Sequence, residues 1–241
     1  MSFRVSGEPA MLVAGGSGGV GRAIVAALLE RESRVIVPLR EDASEARLRD
    51  YLRELPLERL TLLRGEIADV ADGQRIATSL RDAYGQLDGV AAALGGWWAG
   101  EPLVELRRET WGKLVADNLT AHLAVVQAFF PLLREAAGRY AAIGGGAAYA
   151  PVPASGPISI LAAAQLMMTR VLYEEEQPRS GGVDIRELVV NGAIATDPDS
   201  SHGQPFAARE IGEIVADLLL TGATRRSTLR IDGPILNLLP G

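Results

Sequence analysis

The stretch Gly15-Gly16-Ser17-Gly18-Gly19-Val20-Gly21 constrains this chain more than any other. It follows the apolar run Ala10 to Ala14 and opens a segment of helical period, Val20–Arg31. Glycines at such a junction permit positive φ and let backbone approach a pyrophosphate, and the helix start offers unpaired N–H groups with a partial positive charge. In a strand-turn-helix setting the run reads as a dinucleotide cradle made by Gly15, Ser17, Gly18, Gly19, Val20 and Gly21. A flexible glycine turn without a ligand is the bland alternative.

The rest of the chain supplies a fold suited to that turn. Strands are expected at Met11–Ala14, Arg34–Val37, Leu60–Leu63, Val90–Leu94, Tyr140–Ile143, Asp184–Val190 and Thr228–Ile231. Helices are expected at Val20–Arg31, Ser44–Leu55, Asp72–Tyr84, Thr110–Leu133, Ser159–Glu176 and Phe206–Leu220. Most of the strands lack polar and apolar alternation, as they should when helices cover both faces. The alternation of the two element types predicts an α/β fold: a Rossmann-type, doubly wound, parallel seven-stranded sheet with helices on both faces. With no polar linker in 241 residues, the expectation is one NAD(P)-binding domain over 1–241. Ligands of such sheets bind beyond the carboxyl ends of the strands.

Composition narrows the partners. A formal charge of −6 with interspersed signs provides no basic field for nucleic acid. The absence of cysteine removes thiolate chemistry and Cys-ligated metals, and two histidines, His122 and His202, suggest no metal site. The first apolar run is too short for a secretory core or a membrane span, so a cytoplasmic address is expected, with a small-molecule substrate and no membrane or nucleic-acid partner.

Two positions bear on the ligand. The second strand ends Val37-Pro38-Leu39-Arg40, without the carboxylate that would receive an adenosine 2′-hydroxyl. Arg40 suits a 2′-phosphate, which favours NADP over NAD, although the same residue reads equally as a solvated loop charge. Asn118 falls inside the apolar stripe Trp111, Leu114, Val115, Leu119, Val125, Val126 and Phe129, so it is either functional or a satisfied core amide.

The spacing Gly15-x-x-x-Gly19-x-Gly21 resembles that of the short-chain dehydrogenase/reductase family, and the likeness continues in order along the chain. Glu66-Ile67 stands at that family's Asp-Val pair near the adenine, and Ala93, Leu94 and Gly95 stand within its Asn-Asn-Ala-Gly segment. Asn118 matches the helical asparagine of its proton relay, and Ile194 with Thr196 matches a segment that contacts the nicotinamide carboxamide. Gly95-Gly96-Trp97-Trp98 is similar to the corresponding segment of the dihydropteridine reductase branch. Trp97 and Trp98 either line a site for a flat heterocycle or pack on a loop.

The resemblance breaks at the chemistry. Where the family implies a serine, a tyrosine and a lysine, this sequence has Gly145, Ile158 and Ala162, leaving Asn118, Tyr149, Ser155 and Ser159 as candidate catalytic groups. A placed acid contributes about 10²–10⁴-fold, so ordinary ketone reduction should be poor. An activated acceptor, such as a quinonoid ring, an iminium or a conjugated alkene, needs less help. The short segment Asp197 to Pro205 leaves the substrate side open to water. The resemblance implies an NADP-dependent oxidoreductase on such a substrate, or a non-catalytic dinucleotide-binding homologue acting as a sensor or partner. Apolar residues spread round the Ser159–Glu176 helix, Ile160, Met167 and Val171 among them, predict an oligomer interface, and the resemblance implies a homodimer or homotetramer.

Overall fold

The computed structural model describes residues 7–39, 41–196, 206–222 and 227–232. In chain order the strands are β1 (Ala10–Ala14), β2 (Arg34–Leu39), β3 (Leu60–Arg64), β4 (Gly89–Ala92), β5 (Arg139–Gly145), β6 (Asp184–Asn191), β7 (Ile194–Ala195), β8 (Phe206–Ala207) and β9 (Thr228–Asp232). Seven of them form one sheet in the order β3-β2-β1-β4-β5-β6-β9, and every neighbouring pair is parallel. The expected seven strands and parallel architecture are therefore present. β7 and β8 make a separate parallel pair that periodicity could not reveal in two-residue segments.

Helices α1 (Gly19–Glu30), α2 (Asp42–Tyr51), α3 (Val70–Tyr84), α4 (Arg108–Val115), α5 (Ala121–Ala136), α6 (Gly156–Glu176) and α7 (Ala208–Thr221) cover the sheet. Along β1, Met11 and Val13 join a core with Ile24 and Leu28 of α1 and Ile211 and Val215 of α7. Ala10, Leu12 and Ala14 join the opposite core with Ile76 and Leu80 of α3 and Val125 and Phe129 of α5. Both faces of β1 are thus removed from water, which is why its sequence is an unbroken apolar run. No described helix is long and apolar enough to cross a membrane.

The chain winds from β1 outward to β3, then returns to place β4 on the other flank of β1. That reversal opens a crevice at the carboxyl ends of β1 and β4, where the Ala93 amide donates to the Ala14 carbonyl at 3.0 Å.

Element ends shift from expectation where tertiary contacts act. The strand expected to reach Leu94 stops at Ala92, because the next residues leave the sheet for the crevice. α6 starts at Gly156 rather than Ser159, with Pro157 in its first turn, a position where the missing N–H costs nothing. The helix expected over Thr110–Leu133 is interrupted by a π-helical turn at Ala116–Thr120, centred on Asn118.

Candidate functional site

A cleft of about 610 Å³ occupies the crevice, lined by the ends of β1 to β4 and by one face of α4 and its π turn. Of the residues singled out from sequence, Gly15, Ser17, Glu66, Ile67, Leu94, Gly95 and Asn118 come together on its walls.

The glycine turn is shaped by close approach. Gly15 has φ +79°, and a Cβ there would lie 2.1 Å from the Ala93 carbonyl oxygen. A Cβ on Gly21 would lie 2.0 Å from the Gly15 oxygen, so the first turn of α1 rests on the loop backbone. Gly18 caps α1 without a side-chain hydrogen bond, leaving the amides of Gly19, Val20 and Gly21 with no partner inside the helix. A Cβ on Gly19 would lie 2.3 Å from Thr196 Cγ2, which brings the segment from Ile194 to Thr196 against the cradle. Arg22 fixes that contact by donating to the Thr196 carbonyl at 2.6 Å. A bare-backbone surface carrying unpaired amides at a helix start is the donor set a pyrophosphate requires.

The π turn places Asn118 between the cradle and the loop after β4. Its Oδ1 accepts from the Gly96 amide at 3.0 Å, and its Nδ2 donates to the Leu114 carbonyl at 3.1 Å. Gly95 has φ +86°, and a Cβ there would lie 2.2 Å from Asn118 Oδ1. The Asn118 carbonyl, released by the π turn, accepts from Gln165 Nε2 of α6. Next along the same face, buried His122 has its pKa pushed down to about 4 by desolvation, so it is neutral at pH 7 and donates from Nε2 to the Leu94 carbonyl at 3.4 Å. Asn118 and His122 together fix the Leu94–Gly96 wall of the cleft.

Ile158 and Ala162, expected from the resemblance at the tyrosine and lysine positions, are apolar. Ile158 is buried with Leu114 and Leu161, and Trp98, Trp111 and Leu119 pack on the same cluster. Gly145 differs in kind: a Cβ there would meet nothing within 4 Å, so the position has room for a side chain. The structure does not bring Tyr149, Ser155 or Ser159 to the cleft. The Tyr149 hydroxyl accepts from Arg170 at 3.4 Å, and the Arg230 guanidinium lies 5.0 Å from its ring centre. Ser155 is buried at the start of α6, and Ser159 Oγ accepts from the Val152 amide at 3.1 Å, which closes the turn before that helix. Arg40 and the segment from Asp197 to Pro205 lie outside the described residues.

Sequence reasoning missed Ser44 and Arg47 of α2, which line the cleft with Pro38 and Leu39, and Lys113 and Asp117, which line it with Trp97 and Trp98. Lys113, the one lysine in the sequence, donates to Asp117 Oδ2 at 2.6 Å. The spacing of Lys113 and Asp117, four apart on a helix, was a readable signal for the pair but not for its position.

Comparison with known proteins adds a family context. Residues 9–204 match the pattern described as short chain dehydrogenase. A cis-2,3-dihydrobiphenyl-2,3-diol dehydrogenase of Pseudomonas sp. (strain KKS102) is 28% identical over 253 aligned positions, covering 94% of this chain and 88% of that protein. Among solved structures, the Pseudomonas aeruginosa RhlG/NADP active-site complex superposes with a TM-score of 0.80 at 23% identity, over 96% of this chain and 97% of the other. ElxO with NADP bound superposes with a TM-score of 0.81 at 15% identity, over 94% and 98%.

Proposed function

Since the chain belongs to the short-chain dehydrogenase family, we propose that it is an NAD(P)(H)-dependent oxidoreductase, NADPH-preferring, that works on an activated small-molecule acceptor. The observation that carries the reading is the cradle: Gly15, Gly19 and Gly21 leave no room for Cβ atoms at a helix start whose first amides are unpaired. A nicotinamide dinucleotide bound there supplies a hydride donor. Ser17 and the amides of Gly19 to Gly21 hold its phosphates, Glu66 and Ile67 flank its adenine, and Ile194 with Thr196 borders its nicotinamide end.

What this chain adds to the chemistry is binding and shape rather than an acid. Asn118 is a positioning residue, because both ends of its amide are engaged in fixing the Gly96 amide and the Leu114 carbonyl. Ile158 supplies neither a proton nor a charge, so an acceptor that needs a proton after hydride transfer must take it from water. Hydride turns an iminium directly into a neutral amine with no proton required, and turns a quinonoid ring into a weakly basic phenolate-type anion that water can protonate, whereas the alkoxide from a ketone needs a placed acid. We place the protein in the cytoplasm, acting as a homodimer or homotetramer through the face formed by Leu123, Ile160, Met167 and Val171, all exposed apolar side chains on α5 and α6.

The test measures NADPH oxidation with a quinone, an iminium and a simple ketone, in the wild type and in a Gly145→Ser, Ile158→Tyr, Ala162→Lys triple variant. Wild-type turnover of the quinone or iminium, with ketone turnover about 10²-fold or more lower, supports the proposal. The apolar cluster around Ile158 favours a second reading, a non-catalytic dinucleotide-binding sensor or partner. That reading holds if NADPH binds and none of the three acceptors turns over.

A further inference from the structure

We infer that Tyr149, Arg170 and Arg230 form an oxyanion-binding site at the β6–β9 side of the sheet, apart from the dinucleotide cleft and suited to the phosphate or carboxylate of a small molecule. None of the three lines the cleft. The fold builds the arrangement from the end of β5. That strand runs into a 3-10 turn, Gly146–Ala148, and a Cβ on Gly146 would lie 2.0 Å from Asn191 Oδ1, so the turn rests on the end of β6. Tyr149 follows the turn and reaches β9, where the Arg230 guanidinium lies 5.0 Å from its ring centre. From α6, Arg170 donates to the Tyr149 hydroxyl at 3.4 Å.

Two guanidinium groups gathered on one phenol repel each other, and the described residues answer only part of their charge. Asp232 accepts from Arg230 Nε at 3.0 Å, pairs with its Nη2 at 2.9 Å, and is itself held by Asn191 Nδ2 at 2.6 Å. Nη1 of Arg230 is left without a partner among the described residues, and Arg170 has no carboxylate within ion-pair distance among them. Arg170 and Arg230 set against Asp232 therefore leave one net positive charge. While accepting from Arg170, the Tyr149 hydroxyl keeps its own proton to donate, on a side chain that is 42% exposed and open to a ligand. Surplus donors that carry positive charge are what an oxyanion requires, and a guanidinium presents them in a fixed plane that matches one.

Glu187 tunes the site. On its face of the sheet it meets Tyr140 of β5, Thr228 of β9 and the Arg170 charge from α6, with Arg230 two residues beyond Thr228. Desolvation pushes the Glu187 pKa up to about 7, so below that pH the carboxyl is neutral and the positive charge stands. Above it the carboxylate offsets that charge, and anion affinity falls as pH rises.

The test is calorimetric titration of the purified protein with sodium sulfate and with sodium acetate, chloride being adjusted to hold ionic strength fixed. Both probes keep their charge from pH 6 to pH 8.5, and the tighter one shows whether the site takes a phosphate-like group or a carboxylate. At pH 6, Arg170→Gln and Arg230→Gln should each lower the affinity about tenfold or more, and Tyr149→Phe should lower it less. Between pH 6 and pH 8.5 the affinity should fall severalfold in the wild type and stay level in Glu187→Gln. Sulfate held by the glycine turn is told apart by Gly19→Val, which removes that binding and leaves the part that responds to Arg170. Tyr149 and Arg170 are exposed, and matching melting temperatures confirm that their variants are folded. Absence of binding by either probe outside the glycine turn, or an affinity unchanged in both arginine variants, overturns the site whatever becomes of the dinucleotide reading. A pH response that persists in Glu187→Gln overturns the coupling to Glu187.

Discussion

Glu187 sits on β6, one strand in from the sheet edge, 2% exposed, in register with Ala142 of β5 and Thr228 of β9. Its carboxyl pKa is pushed from 4.5 up to about 7 by desolvation, against the pull of the Arg170 charge and of a 3.5 Å hydrogen bond from Thr228 Oγ1. Nearby Tyr140 presents a buried hydroxyl with no hydrogen-bond partner, and the same carboxylate helps to push the Tyr140 pKa upward. Because the folded state holds the Glu187 proton more tightly than the unfolded chain does, stability is highest in acid and falls as pH rises from about 4.5 to about 7. A rise of that size corresponds to about 3 kcal/mol once both states are ionised. Between pH 5.5 and pH 8 the wild type should lose about 2 kcal/mol at this site, seen as a Tm lower by about 4–8 °C in a domain of this length. Glu187→Gln keeps the shape and an acceptor for Thr228 while removing the ionisation, so its advantage over wild type should grow by that amount over the same interval. Urea melts of both proteins at several pH values measure the difference directly. A constant offset between the two, independent of pH, would refute the reasoning.

Gly95→Ala should destabilise the fold by about 1–3 kcal/mol, since it combines a positive φ with a contact to Asn118 Oδ1, and it should weaken NADPH binding in a fluorescence titration. Gly19→Val should leave a folded protein with no measurable NADPH binding, because its side chain enters the space between the cradle and Thr196; retained affinity would place the phosphates elsewhere. Met167→Glu on the exposed face of α6 should convert the assembly to monomers in light scattering coupled to gel filtration, and a wild type of monomer mass would exclude that interface.

The sequence carried the sheet well, because strands buried on both faces leave continuous apolar runs such as Met11–Ala14 and Val35–Val37, and helices between them keep a 3.6-residue period. It carried the tight glycine turn too, since glycine is the residue for which Gly15 and Gly21 have room. The π turn was not legible: one extra residue in a helix shifts the period by less than the scatter of apolar positions around Asn118. Residues whose role depends on neighbours far away in sequence were also hidden. Arg47 reads as an ordinary charge on α2 until the fold sets it beside Leu39, and Tyr149 reads as a spare hydroxyl until the fold sets it between Arg170 and Arg230. His122 is likewise a buried, neutral residue whose partner, the Leu94 carbonyl, the sequence could not name.

The central claim is that unpaired amides in the turn from Gly15 to Gly21 bind the phosphates of a nicotinamide dinucleotide. Thermal melts in the presence of NADPH test it most directly. At a concentration one hundred times Kd the account predicts stabilisation of about 2.7 kcal/mol, a Tm raised by several degrees, and loss of that rise in Gly19→Val. Melts of the folded wild type that are unmoved by saturating NADPH, NADP, NADH and NAD would contradict it.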